Sequence, residues 1–125
     1  MRLHHIGIAT EDINATIEYI KNFVVIESVS ATVYDSKQDA NLCMLSVKDG
    51  SNIELIQGEV ISKIIKKGQY IYHLCWETED IEKQIQMLID KNGLVISPLK
   101  EAVLFDNRRV AFIMTDIGLV ELLEK

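Results

Sequence analysis

The chain has 125 residues, 48% of them apolar, which is enough to bury one core and too much for a disordered segment. Charged residues make up 26%, and the net charge of −6 is spread without a long acidic or basic run. That balance argues against nucleic acid or an anionic membrane as partner, and leaves room for a local cationic pocket that takes an anionic small molecule.

Met1-Arg2-Leu3-His4-His5 has no apolar signal core, and no apolar run approaches the ~18 residues of a membrane span. A cytoplasmic protein is the expectation. Leu3 to Ala9 alternates and predicts a strand. Thr10 is placed to cap a helix carrying Ile13, Ile17 and Ile20 on one face. Val24 to Tyr34 is rich in β-branched residues and predicts one long strand. Asn41 to Val47 and Ser51 to Gln57 flank Lys48-Asp49-Gly50, a hairpin signal. Glu59 to Lys67 has Val60, Ile61, Ile64 and Ile65 at helical spacing, and predicts a short linker helix.

The second half follows the same order. Tyr70 to Glu77 predicts a strand. Asp80 to Asn92 predicts a helix with Ile81, Ile85, Leu88 and Ile89 on one face, ended by Gly93. Leu94 to Ser97, edged by Pro98, predicts a short strand. Val103 to Phe105 and Arg109 to Thr115 flank Asp106-Asn107 as a further hairpin, and Leu119 to Leu123 closes the unit. Cys43 and Cys75 lie in apolar strand-like runs, as buried reduced thiols do.

The two halves are copies. Thr10-Glu11-Asp12-Ile13 recurs as Thr78-Glu79-Asp80-Ile81, and the same shift carries His5 onto His73. Asn52-Ile53-Glu54-Leu55-Ile56 is echoed by Leu119-Val120-Glu121-Leu122-Leu123. The division is module one at 1–58, a linker helix at 59–68 and module two at 69–125, each a βαβββ unit.

Strand alternation sets the four polar residues apart. His4, Ile6 and Ile8 share the face that the first helix needs, so His5 faces the other way. Tyr72, Leu74 and Trp76 do the same in the second copy, leaving His73 opposite. His4 has Tyr72 as its counterpart and reads as an ordinary half-buried residue. Glu54 and Glu121 are lone carboxylates within apolar strands, and a buried carboxylate costs several kcal/mol unless paired or bound to a cation. Two imidazoles and two carboxylates suit one divalent ion such as Zn, Ni, Co, Mn or Fe(II).

Leu3-His4-His5-Ile6-Gly7-Ile8-Ala9, Ile53-Glu54-Leu55, Tyr72-His73-Leu74-Cys75-Trp76 with Glu79-Asp80-Ile81, and Gly118-Leu119-Val120-Glu121-Leu122-Leu123-Glu124 resemble the vicinal oxygen chelate superfamily. That superfamily includes glyoxalase I and methylmalonyl-CoA epimerase. The resemblance spans essentially the whole chain. It implies an α+β fold of two tandem βαβββ modules in an open, curved eight-stranded barrel around a metal held at His5, Glu54, His73 and Glu121. It implies proton transfer on the carbon next to a carbonyl or thioester. Each copy contributes one carboxylate, and Glu121 is the first candidate base, with Glu54 second.

Two departures separate this chain from both enzymes. Gly7-Ile8-Ala9 lacks the first-strand arginine of bacterial glyoxalase I. Asn41-Leu42-Cys43-Met44-Leu45 lacks the second glutamate of the epimerases. The stretch Trp76 to Ile81 and the compact linker are more epimerase-like. A lactoylglutathione lyase (glyoxalase I) activity is the alternative, and a metal-containing binding protein without turnover is the competing class. Arg109, opening a strand, is the expected contact for an anionic substrate. Exposed sheet edges predict a homodimer.

Overall fold

The computed structural model describes residues 1–125. The chain is mixed α+β, with nine strands and three α-helices. It divides into two compact units, one of His5–Tyr72 and one of Met1–His4 with His73–Lys125.

In the His5–Tyr72 unit the order is β1 (Arg2–Ala9, its first residues counted with the other unit), α1 (Ile13–Ile20), β2 (Ile26–Val29), β3 (Val33–Asp35), β4 (Ala40–Val47), β5 (Asn52–Gly58) and α2 (Glu59–Lys66). The strands line up as β2-β4-β5-β1, and β3 also pairs with β4. β1 and β5 are parallel, which α1 makes possible by carrying the chain back over the sheet. The single strand expected over Val24–Tyr34 is two pieces, because Ser30 leaves the ladder. Its backbone N–H bonds the Met44 carbonyl at 2.9 Å, and its hydroxyl accepts from the Met44 N–H at 2.8 Å. This break gives the first unit five strands where four were expected.

α1 has only eight residues and would be marginal alone, so packing holds it. Ile13, Ile17 and Ile20 are buried against Cys43, Leu45 and Leu55, with Ile8 and Ile53 beside them. Each such isoleucine contributes about 1.5–3 kcal/mol. The cap is Asp12, not Thr10: Asp12 Oδ1 accepts from the Ala15 N–H at 3.0 Å. Thr10 stands two residues earlier, its Oγ1 accepting from the Asp12 N–H at 3.0 Å.

In the other unit come β6 (Ile71–Thr78), α3 (Ile81–Asp90), β7 (Leu94–Glu101), β8 (Arg109–Thr115) and β9 (Gly118–Glu124), ordered β6-β9-β8-β7. β6 and β9 are again parallel. Asp80 Oδ1 caps α3 by accepting from the Lys83 N–H at 3.1 Å, and Thr78 Oγ1 accepts from the Asp80 N–H at 3.3 Å. The repeated Thr-Glu-Asp-Ile motif is thus a strand-to-helix turn made twice with the same bonds. Ile81, Ile85 and Leu88 pack on Trp76, Ile113, Val120 and Leu122, whereas Ile89, expected on that face, is exposed.

The end of α3 differs from expectation in one respect. Asn92, not Gly93, takes the left-handed conformation, at φ 68. Gly93 is needed for close approach, since a Cβ there would stand 2.7 Å from the Leu88 carbonyl oxygen. β7 runs past Pro98, with its register on β8 shifting between Ser97 and Lys100 around the proline. Val103–Phe105 is a 3₁₀ turn rather than a strand. Asp106 and Asn107 both have positive φ, and the Ala102 carbonyl collects the Phe105 and Asn107 N–H groups.

Candidate functional site

Parallel pairing decides where the four polar residues go. In the first unit Glu54 stands opposite Gly7 across the β1–β5 ladder. His5 is two residues before Gly7, so its side chain shares the face of Glu54. In the second unit Glu121 stands opposite Cys75 across β6–β9, and His73 is two residues before Cys75. The register is the same in both copies. Each face lies away from its helix, because Ile8, Ile53 and Leu55 go to α1 while Trp76, Val120 and Leu122 go to α3.

All four are buried, His5 at 1% exposure, Glu54 at 3%, His73 at 2% and Glu121 at 2%. His5 Nε2 lies 3.9 Å from Glu54 Oε2, and His73 Nε2 lies 3.4 Å from Glu121 Oε2. Two ligands each about 2.1 Å from one tetrahedral ion stand about 3.4 Å apart. The His73–Glu121 spacing matches that figure, and the His5–Glu54 spacing fits a wider angle. Imidazole and carboxylate are donor types that suit a divalent metal, and each pair is spaced as two ligands of such an ion would be.

Burial lowers the His73 imidazole to a pKa of about 3, so it is neutral at ordinary pH and offers a lone pair, as a metal ligand must. The Phe112 ring stands edge-on to it at 5.3 Å and fixes its plane. The Cys75 thiol donates toward Glu121 Oε1 at 3.4 Å. Sequence reasoning missed Phe112 and treated Cys75 as a mere buried thiol. Strand alternation could have found both, since Cys75 shares the face of His73, and Phe112 pairs with Glu121. Both cysteines are free and buried, as expected.

Arg109 lies elsewhere. It holds the Glu124 carboxylate of β9 with two bonds, of 2.9 and 2.7 Å, and its Nη2 pairs with Glu82 of α3 at 2.8 Å. Counted from Phe112, Arg109 falls on the α3 face, opposite to His73. Arg108 has the other parity. Its Nη1 donates to Glu77 Oε2 at 2.8 Å, and Glu77 shares its strand face with His73 and Cys75. The Arg108 bond holds the Glu77 carboxyl below its ordinary value, with Arg2 reinforcing it. Burial pushes His4 down, against the pull of Glu77, and its ring sits edge-on to Phe105 at 5.5 Å.

Comparison with known proteins places this arrangement. A family model described as the Glyoxalase/Bleomycin resistance protein/Dioxygenase superfamily matches residues 4–112. The chain belongs to this superfamily. Among solved structures, the methylmalonyl-CoA epimerase of Mycobacterium tuberculosis is similar, with a TM-score of 0.80 at 20% identity over 98% of this chain and 87% of that one. A variant of the Streptomyces coelicolor methylmalonyl-CoA epimerase, in complex with 2-nitronate-propionyl-CoA, gives 0.75 at 23% identity over 100% and 97%. A hypothetical protein from Bacillus halodurans C-125 gives 0.78 at 25% identity over 99% and 94%. No curated protein matches the sequence. No helix is long and apolar enough to cross a membrane.

Proposed function

We propose that this member of the superfamily is a divalent-metal-dependent isomerase or lyase. It moves a proton on the carbon next to a carbonyl or thioester, and is methylmalonyl-CoA epimerase-like in substrate class. His5, Glu54, His73 and Glu121 together hold one ion, each copy giving one imidazole and one carboxylate. The observation that carries this reading is the buried His–Glu pair made twice, at the same register of two parallel strand pairs. One such pair is ordinary. Two at matched positions, within a superfamily whose members usually bind a metal, call for one cause.

A bound divalent ion supplies Lewis-acid stabilisation of negative charge growing on a substrate oxygen. The chain's own residues do the rest. His5 and His73 present ring nitrogens from rigid strands, that of His73 neutral. One of the two glutamates takes the α-proton and returns it, Glu121 being first candidate and Glu54 second. β9 is paired on both sides, by β6 and β8, so any movement of Glu121 is rotation of its side chain and not of its strand. The substrate is read as anionic, on the likeness to an epimerase that binds a CoA-linked compound. The chain is read as a homodimer, since β7 ends one unit's strand order with Leu94 and Ile96 exposed. Light scattering that returns a monomer at micromolar concentration refutes the dimer.

The activity is tested in deuterated water with the metal-loaded protein. Solvent deuterium entering the α position of methylmalonyl-CoA supports the epimerase-like reading. Turnover of methylglyoxal with glutathione to the thioester moves the assignment to a lactoylglutathione lyase. Neither reaction, with metal bound, moves it to a binding protein without turnover.

A further inference from the structure

The two copies place their carboxylates alike but surround them differently. Opposite Glu54 stands Gly7, which has no side chain. Opposite Glu121 stands Cys75, fully buried, with Sγ 3.4 Å from Glu121 Oε1. The other oxygen of the same carboxylate, Oε2, is the one at 3.4 Å from His73 Nε2. The two oxygens of Glu121 are therefore divided between a thiol and an imidazole.

Resting on the metal reading above, we infer that Cys75 is a positioning residue for the second half-site. Its S–H holds Oε1 so that Oε2 stays turned to the ion as a single-oxygen ligand. A carboxylate is free to turn about its last torsion and to offer an ion either oxygen or both. A donor fixed to one oxygen from a central strand removes that freedom before the ion arrives. Outer contacts of this kind orient ligands and raise affinity. A thiol is a weak donor, but in a dry interior a weak bond to a charged acceptor counts for more than it does in water. Position 7 of the first copy, a glycine, has no side chain to supply the same bond to Glu54. Cys75 stays off the ion in this arrangement, which separates it from a metal ligand.

Cys75→Ala and Cys75→Ser remove nearly the same volume, and only serine keeps a donor. Metal affinity is measured by titration of the apo proteins with Zn and Co, and the optical spectrum of the Co form is recorded. We expect Cys75→Ala to bind about 10-fold more weakly than wild type, at the low end of the effect of removing an outer contact. Cys75→Ser is expected to recover most of the loss. The wild-type Co form is expected to lack a thiolate-to-metal charge-transfer band. If Cys75→Ala is too unstable to titrate, Cys75→Val gives a donor-free side chain that fills the space. Equal affinity of wild type and the donor-free variant overturns the positioning role and leaves the metal site standing. A charge-transfer band in wild type that vanishes in the variant overturns it by making Cys75 a ligand. Failure of wild type to bind any ion overturns the four-ligand reading, and this inference with it.

Discussion

The neutral, buried His73 imidazole makes the apo protein sensitive to acid in a window that can be worked out. In the folded chain burial lowers its pKa to about 3, against 6.5 for the ordinary imidazole. Between those values the unfolded chain binds a proton at this position and the folded chain does not. Stability therefore falls as pH falls, by about 1.4 kcal/mol per pH unit. The paired carboxylates Glu77 and Glu124 are also held low by Arg108 and Arg109, but they add to the loss only below their ordinary value of 4.5. From pH 6.5 to 4.5 His73 contributes about 2 kcal/mol to that loss. The assay is urea unfolding of the chelator-treated protein at four pH values, beside the variant His73→Gln. His4 is lowered too, and its share of the slope is common to both proteins. We expect wild type to be steeper than the variant by about 1.4 kcal/mol per pH unit. Equal slopes would show that His73 is protonated in the folded state, and would refute the argument from burial.

Three further outcomes follow from the packing. Arg109→Ala is expected to leave metal affinity and substrate KM unchanged and to change stability little, because its partners Glu124 and Glu82 form a surface network; a raised KM would return Arg109 to the site. Leu122→Ala empties a fully buried position under α3 and is expected to cost about 2–5 kcal/mol in denaturant unfolding. Gly58→Ala is expected to cost about 1–3 kcal/mol, since a Cβ at the start of α2 would meet the Asp39 carbonyl oxygen at 2.8 Å; a neutral result would mean that this turn yields.

Much of this was legible in the sequence because two periodicities and one repeat carry it. Alternation in β1 and β6 was enough to turn His5 and His73 away from the isoleucines, and the shift between copies aligned Glu54 with Glu121. What escaped were features that depend on local bonds. Asp12 outcompetes Thr10 for the cap because the threonine hydroxyl is already taken up in the turn before it. Val24–Tyr34 is β-prone throughout, and only the Ser30 bonds to Met44 show where it breaks. Val103–Phe105 is equally β-prone, and two left-handed residues after it curl it into a turn. Arg108 and Arg109 could be split between two faces from sequence, but which went where needed the register of β8 on β9.

The central claim is that two half-sites serve one ion, and metal counting on half-site variants tests it most directly. Wild type, His5→Ala in the first half and His73→Ala in the second are loaded with Zn, dialysed and measured for metal per chain. The account predicts one ion per chain in wild type and loss of tight binding in both variants. Two ions per wild-type chain, or full retention when either half is broken, would contradict it.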